Sequence, residues 1–142
     1  AHTPDALKNI LSSLQKFRKP AQRIITIIGC GGDRDKGKRP EMASIASRLS
    51  DYVILTSDNP RSESPEVILR DMEGGLKKPD MKYCISIVDR SQGIRLACQN
   101  ANPNDIILLA GKGHEKFQEI NGEKIPFDDL LILKTALTEV QT

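Results

Sequence analysis

Three polar segments contain the residues whose types and spacing could do chemistry, and each segment follows a largely apolar run. The apolar runs span 24–28, 52–56 and 106–110, and the polar segments span 29–39, 58–61 and 111–115. In an open parallel α/β sheet, the loops that follow the strands share one edge, and ligands bind in the crevice there. We therefore expect three loops from distant parts of the sequence to converge on one binding site.

The charges of these segments are of mixed sign. Arg34 and Arg61 are cations, and Asp58 and Glu115 are anions. Asn59 offers both a hydrogen-bond donor and an acceptor. A polyphosphate would need mainly positive charge, whereas a zwitterion needs both signs. The segments therefore favour a free amino acid as the ligand, and one with charged groups at both ends would use both arginines and both acids.

The glycine-rich segment leaves three interpretations open. The spacing from Gly32 to Gly37 and Lys38 nearly reproduces the phosphate-binding P-loop, but Arg39 stands where that motif needs a Ser or Thr hydroxyl for Mg²⁺. The segment could also be a flexible turn with solvated charges. In the third interpretation, the glycines let the backbone approach a ligand, and Arg34 offers a planar guanidinium to a carboxylate.

The tetrapeptide Asp58-Asn59-Pro60-Arg61 could be a simple β-turn, because Asp, Asn and Pro are all turn formers. A turn, however, needs neither the carboxylate nor the guanidinium. The rigid proline ring would hold Asn59 and Arg61 in fixed directions, which suits bidentate recognition of a carboxylate. Its position after a predicted buried strand favours a binding role.

The third segment combines two glycines with Lys112, His114 and Glu115. A lone His–Glu pair does not by itself establish metal ligation or proton transfer. We interpret Glu115 as a charge partner for an ammonium group and His114 as a positional residue, with general base as the alternative.

The composition excludes several classes of protein. With 142 residues, the chain has the size of one ordinary domain. Its net charge of +2 gives no global attraction to nucleic acid or an anionic membrane, and no apolar stretch approaches the roughly 20 residues of a membrane span. The three cysteines lack metal-site spacing and are odd in number, which fits a reducing cytoplasm. We expect a cytoplasmic, monomeric domain that binds neither nucleic acid nor membrane.

Alternating helical and strand patterns must position the three segments. A Thr3 cap before Pro4, followed by Leu11, Leu14 and Phe17 at helical spacing, predicts a first helix. The strand, loop and helix patterns then repeat with short connections along the chain. This alternation predicts an α/β fold with a doubly wound, mostly parallel sheet and helices on both faces.

Two further local signals concern the last third of the chain. Asn121-Gly122 lies between two short strand patterns and is a strong hairpin signal, so we predict an antiparallel edge there. Asp89 is expected to cap the helix that follows it, and either Asp128 or Asp129 is expected to cap the last helix.

In their order and spacing, the motifs GCGGDRDKGKRP (29–40), DNPR (58–61) and GKGHE (111–115) resemble those of the C-terminal domain of the Mur ligases. The resemblance spans nearly the whole chain. It implies a Rossmann-like Mur ligase C-terminal fold, with 1–142 forming the amino-acid-binding domain and 1–3 the end of an interdomain hinge. The DNPR tetrapeptide is typical of the members that add meso-diaminopimelate.

The resemblance also implies site residues, which are carried over by position in this sequence. The implied contacts to meso-diaminopimelate are Arg34, Asp58, Asn59, Pro60, Arg61, Gly111 and Glu115. The hinge would bring His2 to the nucleotide. No catalytic residue and no metal ligand is implied within this chain.

The family reaction is an ATP-dependent amide ligation that uses Mg²⁺ and serves bacterial peptidoglycan synthesis, and thereby cell wall formation, cell shape and division. It would join meso-diaminopimelate to UDP-N-acetylmuramoyl-L-alanyl-D-glutamate. ATP, Mg²⁺ and the UDP-sugar are bound mainly by the family's other two domains, so the resemblance implies that this chain alone is inactive. Its part would be to deliver the nucleophile as it closes over those domains.

Two other functions stay open on the sequence alone. A free-standing amino-acid-binding regulatory module would have the same pocket without catalysis. A nucleic-acid module would use the basic residues of 34–39. Against that module, Asp33 and Asp35 interrupt the basic patch, and aromatic residues are only 4% of the chain, which leaves few side chains for base stacking.

Overall fold

The computed structural model describes residues 3–77, 79, 83–112, 115 and 117–141. The helices that position the site are α1 (Pro4–Phe17), α2 (Lys38–Leu49), α3 (Pro65–Glu73), α4 (Arg90–Asn100) and α5 (Asp129–Gln141). The strands are β1 (Ile24–Ile28), β2 (Tyr52–Leu55), β3 (Cys84–Ser86), β4 (Ile106–Leu109), β5 (Phe117–Ile120) and β6 (Glu123–Pro126).

The first four strands form one parallel sheet in the order β3-β2-β1-β4, and β5 and β6 form a separate antiparallel pair. Every residue of β1 is buried, as expected for a central strand covered on both faces. Ile24 and Ile28 pack in the core beneath α1, α2 and α3, whereas Ile25 and Ile27 pack in the core beneath α4 and α5. The predicted α/β fold, a mostly parallel sheet between two helical layers, is confirmed.

Local signals account for the start of the first helix. The Thr3 hydroxyl oxygen accepts a hydrogen bond from the Ala6 amide at 3.1 Å, so the predicted cap of α1 is confirmed. Phe17 shares the helical spacing of the other apolar residues but is 84% exposed. The buried residues of α1 are Leu7 and Leu11, and the partly buried Leu14 also packs against the core, so the helix covers the core through one face.

Capping and turn signals also place the later elements. Asp89 Oδ1 accepts from the Gln92 amide at 3.1 Å, and Asp128 Oδ1 accepts from the Leu131 amide at 3.2 Å, so Asp128 is the cap of the last helix. Asn121 and Gly122 have φ values of 49° and 78°, and the two strands that flank them pair as a hairpin. The hairpin reaches the rest of the fold through a parallel bridge between Arg61 and Ile120.

The topology creates a binding edge. β1 lies between β2 and β4, so the strand order reverses beside β1, and such switch points open a crevice at the carboxyl ends of the strands. The glycine-rich segment, the tetrapeptide and the third polar segment follow β1, β2 and β4 respectively. Within the described residues, no helix combines the length and apolarity that crossing a membrane requires.

Candidate functional site

The three polar segments meet at the carboxyl edge of the parallel sheet around a cavity of about 450 Å³. This volume lies within the range of small-molecule sites. The lining residues come from all three segments and from the starts of α1 and α2. They are Thr3, Gly29, Cys30, Gly31, Arg34, Asp35, Lys38, Met42, Asp58, Asn59, Arg61 and Glu115.

One side of the cavity is formed by Asp58 and Asn59, against which Lys112 packs; these three residues are here called the buried wall. Asp58 and Asn59 line the cavity and are 5% and 2% exposed, while the Lys112 side chain is fully buried against both of them. Lys112 Nζ donates to Asn59 Oδ1 at 2.7 Å and lies 3.3 Å from Asp58 Oδ1. Burial lowers the pKa of the Lys112 ammonium group, and the negative charge of Asp58 opposes that shift.

A second part of the lining, here called the exposed rim, consists of Arg34, Asp35 and Lys38. All three line the cavity and are exposed to solvent. Arg34 Nη1 donates only within its own loop, to the carbonyl oxygen of Asp33 at 3.1 Å. In the described part of the chain, neither Arg34 nor Lys38 forms an ion pair. Their charges are therefore available to a ligand.

Hydrogen bonds join the glycine-rich segment to the tetrapeptide. The Gly32 amide donates to the Asn59 carbonyl oxygen at 2.7 Å, and Arg61 Nη1 donates to the Gly32 carbonyl oxygen at 2.9 Å. A Cβ atom at Gly32 would overlap the carbonyl oxygen of Pro60. Glycine is therefore required here for close backbone approach.

Arg39 is buried beside the contact between the glycine-rich segment and the tetrapeptide, and it does not complete a P-loop. It is 1% exposed and donates to both Glu63 oxygens, to Asp71 and to the Gly31 carbonyl oxygen. The hydrogen bond from Arg39, followed by one from the Asp33 amide, lowers the pKa of Glu63 to about 2. A buried guanidinium thus occupies the position that needs a Mg²⁺-binding hydroxyl, and the P-loop interpretation of this segment is wrong.

The third segment brings Glu115 to the cavity. Gly111 has a φ of 113°, a backbone conformation that residues other than glycine rarely adopt. The Glu115 amide donates to the Lys112 carbonyl oxygen at 3.0 Å. Glu115 Oε1 is buried and has no hydrogen-bond partner among the described residues. A buried carboxylate oxygen without a donor is costly, so the cavity is suited to a ligand ammonium group at this point.

The hairpin contacts Asp58, Asn59 and Arg61 of the tetrapeptide. Gln118 Nε2 donates to the Asp58 carbonyl oxygen at 2.8 Å, and the Glu119 amide donates to Asn59 Oδ1 at 2.9 Å. Glu119 also accepts from the Arg61 amide at 2.8 Å through its backbone and from Arg61 Nε at 3.2 Å through its side chain. These contacts hold Arg61 at a φ of 54°, a left-handed conformation that a non-glycine residue adopts at a cost.

Cys30 lines the cavity without the chemistry of a nucleophile. Burial raises the pKa of its thiol to about 12, and the positive charge of Arg39 opposes this shift only in part. The thiol is therefore neutral near pH 7, whereas nucleophilic cysteines are thiolates. Among the described residues, no three His, Cys, Asp or Glu side chains are grouped as a metal ion would require.

The structure brings most of the candidate residues together at the cavity. Those that line it are Arg34, Asp58, Asn59, Arg61 and Glu115. Pro60 and Gly111 are buried at the same edge but are not among the lining residues. His2 and His114 lie outside the described residues.

Three functional features were missed by the sequence interpretation. Lys112 was recognised only as a basic residue, and its place between two glycines after a buried strand is the one signal that marked it. Thr3 reaches the cavity although it was identified only as a helix cap. Glu119 belongs to a correctly predicted hairpin, but no local signal shows where that hairpin packs.

Comparisons with known proteins agree on one family. Residues 1–113 match the family described as Mur ligase, glutamate ligase domain. The chain is 56% identical over 137 residues to UDP-N-acetylmuramoyl-L-alanyl-D-glutamate--2,6-diaminopimelate ligase from Cytophaga hutchinsonii, covering 96% of this chain and 28% of that protein. It is 54% identical over 134 residues to the protein of the same name from Bacteroides thetaiotaomicron, covering 94% of this chain and 28% of that protein.

A solved structure of a protein with that same name gives the corresponding result in three dimensions. It superposes with a TM-score of 0.91 at 42% identity, covering 100% of this chain and 28% of the solved chain. The chain thus spans 28% of the length of these relatives.

Proposed function

The chain belongs to the Mur ligase family, and from this premise we propose that it is the amino-acid-binding C-terminal domain of a bacterial diaminopimelate-adding ligase. Residues 1–142 form that domain, and residues 1–3 end the hinge to the preceding domain. The enzyme adds meso-diaminopimelate to UDP-N-acetylmuramoyl-L-alanyl-D-glutamate in the cytoplasm during peptidoglycan synthesis. The domain acts as part of a monomer and binds neither nucleic acid nor membrane.

The observation that carries this proposal is the mixed charge of a cavity built by all three motif segments. The tetrapeptide supplies Asp58, Asn59 and Arg61, while the other segments supply Arg34 and Glu115. Diaminopimelate carries an amino group and a carboxylate at each end, so it needs cations and anions together. A cavity of about 450 Å³ encloses a molecule of that size.

Each lining group has a role that its contacts support. Asn59 and Arg61 donate to the carboxylate farthest from the reacting amine, and Arg61 offers Nη2 because Nη1 and Nε are held by the protein. Glu115 and Asp58 accept from an ammonium group of the ligand. Arg34 reaches from the exposed rim to a carboxylate, where its planar guanidinium fits two oxygens.

The domain contributes positioning rather than bond chemistry. In the family reaction, ATP phosphorylates the D-glutamyl carboxylate, and the amine of diaminopimelate attacks the acyl phosphate with release of inorganic phosphate. The family resemblance implies that ATP and Mg²⁺ are bound mainly by the other two domains of the ligase. A contact from His2 to the nucleotide is part of the same proposal.

A chimeric enzyme tests the proposal. The region of the Cytophaga hutchinsonii relative that aligns with this chain is replaced by this chain, and ATP hydrolysis is measured with the UDP-dipeptide and either meso-diaminopimelate or L-lysine. We expect turnover with diaminopimelate within about tenfold of the parent ligase and none with L-lysine, which lacks the second carboxylate. The chain alone should give no turnover.

Two outcomes would overturn the proposal. The assigned function would be refuted by a chimera that binds nucleotide and UDP-dipeptide normally but does not turn over diaminopimelate. Equal turnover with both amino acids would remove the assignment of Asn59 and Arg61 to the distal carboxylate.

A further inference from the structure

Lys112 is a fully buried lysine to which the proposed function gives no role. Its Nζ atom donates to Asn59 Oδ1 at 2.7 Å and to the Phe117 carbonyl oxygen at 2.9 Å, and it lies 3.3 Å from Asp58 Oδ1. The side chain is 0% exposed and is not among the lining residues of the cavity. Lys112 therefore does not touch a ligand in the cavity, but it touches two residues that line it.

The contacts of Asn59 define which end of its amide faces the cavity. Its Oδ1 atom accepts two hydrogen bonds from the protein, one from Lys112 Nζ and one from the Glu119 amide at 2.9 Å. Both groups can only donate hydrogen bonds, because one is an ammonium group and the other is a backbone amide. If the amide were rotated by half a turn, its NH₂ group would face these two donors. The Nδ2 atom must therefore point away from them, and no described residue accepts from it.

A second contact of Lys112 concerns charge. Asp58 Oδ1 is buried and accepts no hydrogen bond from the described residues, so the nearby ammonium group is what compensates its charge. Removing that ammonium would leave a buried carboxylate beside Asn59 without a counter-charge, which is strongly unfavourable. The same lysine thus fixes a donor and compensates an acceptor of the buried wall.

We propose that Lys112 is a positioning residue that sets the polarity of the binding site. It holds Asn59 so that Nδ2 donates to the ligand carboxylate, and it holds Asp58 as a compensated anion. The inference rests on the proposed function in one respect only, namely that the ligand group opposite Asn59 is a carboxylate. The orientation of Asn59 itself is independent of that function.

The chimeric enzyme described above provides the kinetic test. Lys112→Met removes the charge and the donors but keeps an unbranched side chain, and Lys112→Gln keeps an uncharged donor in case the Met variant does not fold. Lys134→Met is the matched control, because Lys134 is exposed on α5 away from the cavity. Asn59→Ala and its combination with Lys112→Met complete a double-mutant cycle.

We expect Lys112→Met to raise the KM for diaminopimelate roughly 10- to 100-fold, the range for losing hydrogen bonds to charged groups, with the KM for ATP unchanged. Lys112→Gln should give a smaller rise, and Lys134→Met none. In the Asn59→Ala background, Lys112→Met should raise that KM by a smaller factor than in the parent, because the donor that it positions is already absent and only its effect through Asp58 remains. A fully multiplicative effect of the two changes, an unchanged KM for diaminopimelate, or an equal rise in the KM for ATP would each overturn the proposal.

An NMR measurement on the chain without ligand separates this inference from the proposed function. The side-chain amide resonances of Asn59, assigned with the Asn59→Ala variant, should shift and exchange with solvent faster in Lys112→Met but not in Lys134→Met. Unchanged Asn59 resonances would refute the positioning role even if the chimera uses diaminopimelate. Changed Asn59 resonances in the chain, together with a chimera that does not use diaminopimelate, would refute the function while retaining the positioning role.

Discussion

The buried wall and the exposed rim face the same cavity, but they hold their polar groups in opposite ways. In the wall, Asn59 Oδ1 has two protein donors, and Asp58 has the Lys112 ammonium at 3.3 Å. On the rim, Arg34 and Lys38 are exposed and are not paired with any described residue. One side is therefore fixed before a ligand arrives, whereas the other side can adapt to it.

This difference indicates a division of labour. A preorganised donor in a dry wall loses little entropy on binding and discriminates strongly between ligand groups. An exposed cation attracts a carboxylate over a longer range, but it is screened by salt and contributes less to affinity. Selectivity for the distal end of the ligand should thus reside in the wall, while the rim should affect affinity and association.

The largest expected effect is on stability, and it comes from removing the buried ion pair between Arg90 and Asp129 next to the wall. Arg90 is fully buried, pairs with both oxygens of Asp129 and donates to the carbonyl oxygens of Ser57 and Ala110, the residues that precede two of the site segments. Arg90→Met leaves a buried carboxylate unpaired and should lower the free energy of unfolding by about 3–5 kcal/mol. Urea denaturation followed by circular dichroism measures this.

The matched control for that variant is Arg95→Met, because Arg95 is exposed on the same helix. It should change the free energy of unfolding by less than about 0.5 kcal/mol. A loss below about 1 kcal/mol in Arg90→Met would mean that the wall does not depend on this buried pair.

The second effect concerns the polarity of the wall. Asn59→Asp is nearly isosteric, and Lys112 and the Glu119 amide would hold one of its oxygens, so the other oxygen would face the ligand carboxylate. Juxtaposed like charges cost several kcal/mol, so diaminopimelate binding should weaken at least about 100-fold. Calorimetric titration of the chimera measures the affinity, with exposed Asn9→Asp as the control. Unaltered affinity would show that Asn59 does not face a carboxylate.

The third effect tests the rim. Arg34→Met removes an exposed guanidinium and should weaken diaminopimelate binding by about tenfold. The free energy of unfolding should stay within about 0.5 kcal/mol of the parent, since Arg34 contacts only its own loop. The same titration and urea denaturation measure both quantities, with Arg48→Met on the exposed face of α2 as the control. A large loss of stability would show that the rim is as structural as the wall.

The smallest expected effect is on the pH dependence of stability, and it concerns the ion pair between Glu63 and Arg39. The pKa of Glu63 is lowered from 4.5 to about 2 by its hydrogen bonds from Arg39 and from the Asp33 amide. A depressed carboxylate pKa stabilises the folded state fully above pH 4.5, and this stabilisation is lost as the pH falls towards 2. The Glu63→Gln variant lacks this stabilisation at every pH, because its side chain does not ionise.

The stability difference between the parent and Glu63→Gln should therefore be constant above about pH 5 and should shrink as the pH falls from 4.5 towards 2. Urea denaturation at pH 7, 4.5 and 3 follows this difference, with exposed Glu41→Gln as the reference variant. A difference that does not vary with pH would mean that the contact between Glu63 and Arg39 does not depend on ionisation.

The sequence predicted those parts of the fold that depend on neighbouring residues. Thr3 and Asp89 cap helices through contacts three residues away, and Asn121-Gly122 forms its turn within the hairpin. Buried apolar runs likewise identify the central strands. The convergence of the three segments followed from one topological rule about parallel sheets, without any knowledge of side-chain contacts.

The sequence could not predict how the wall is held, because its contacts join distant parts of the chain. Lys112 and Asn59 are 53 residues apart, and Glu119 and Asn59 are 60 residues apart. A lysine between two glycines normally lies in solvent, and only tertiary packing buries it here. The sequence likewise gives no sign that Gly32 packs against the Pro60 carbonyl, which is another contact between distant parts of the chain.

The same separations set an order of events during protein synthesis. The tetrapeptide 58–61 leaves the ribosome 60 residues before the part of the hairpin that holds it, a delay of roughly 3–12 s at the usual rate of elongation. The four-stranded sheet is complete at Leu109, before that hairpin exists. The four parallel strands of a nascent chain can therefore be available for pairing while Asn59 is still unclamped, and the recognition surface is finished only when the last strands have been translated.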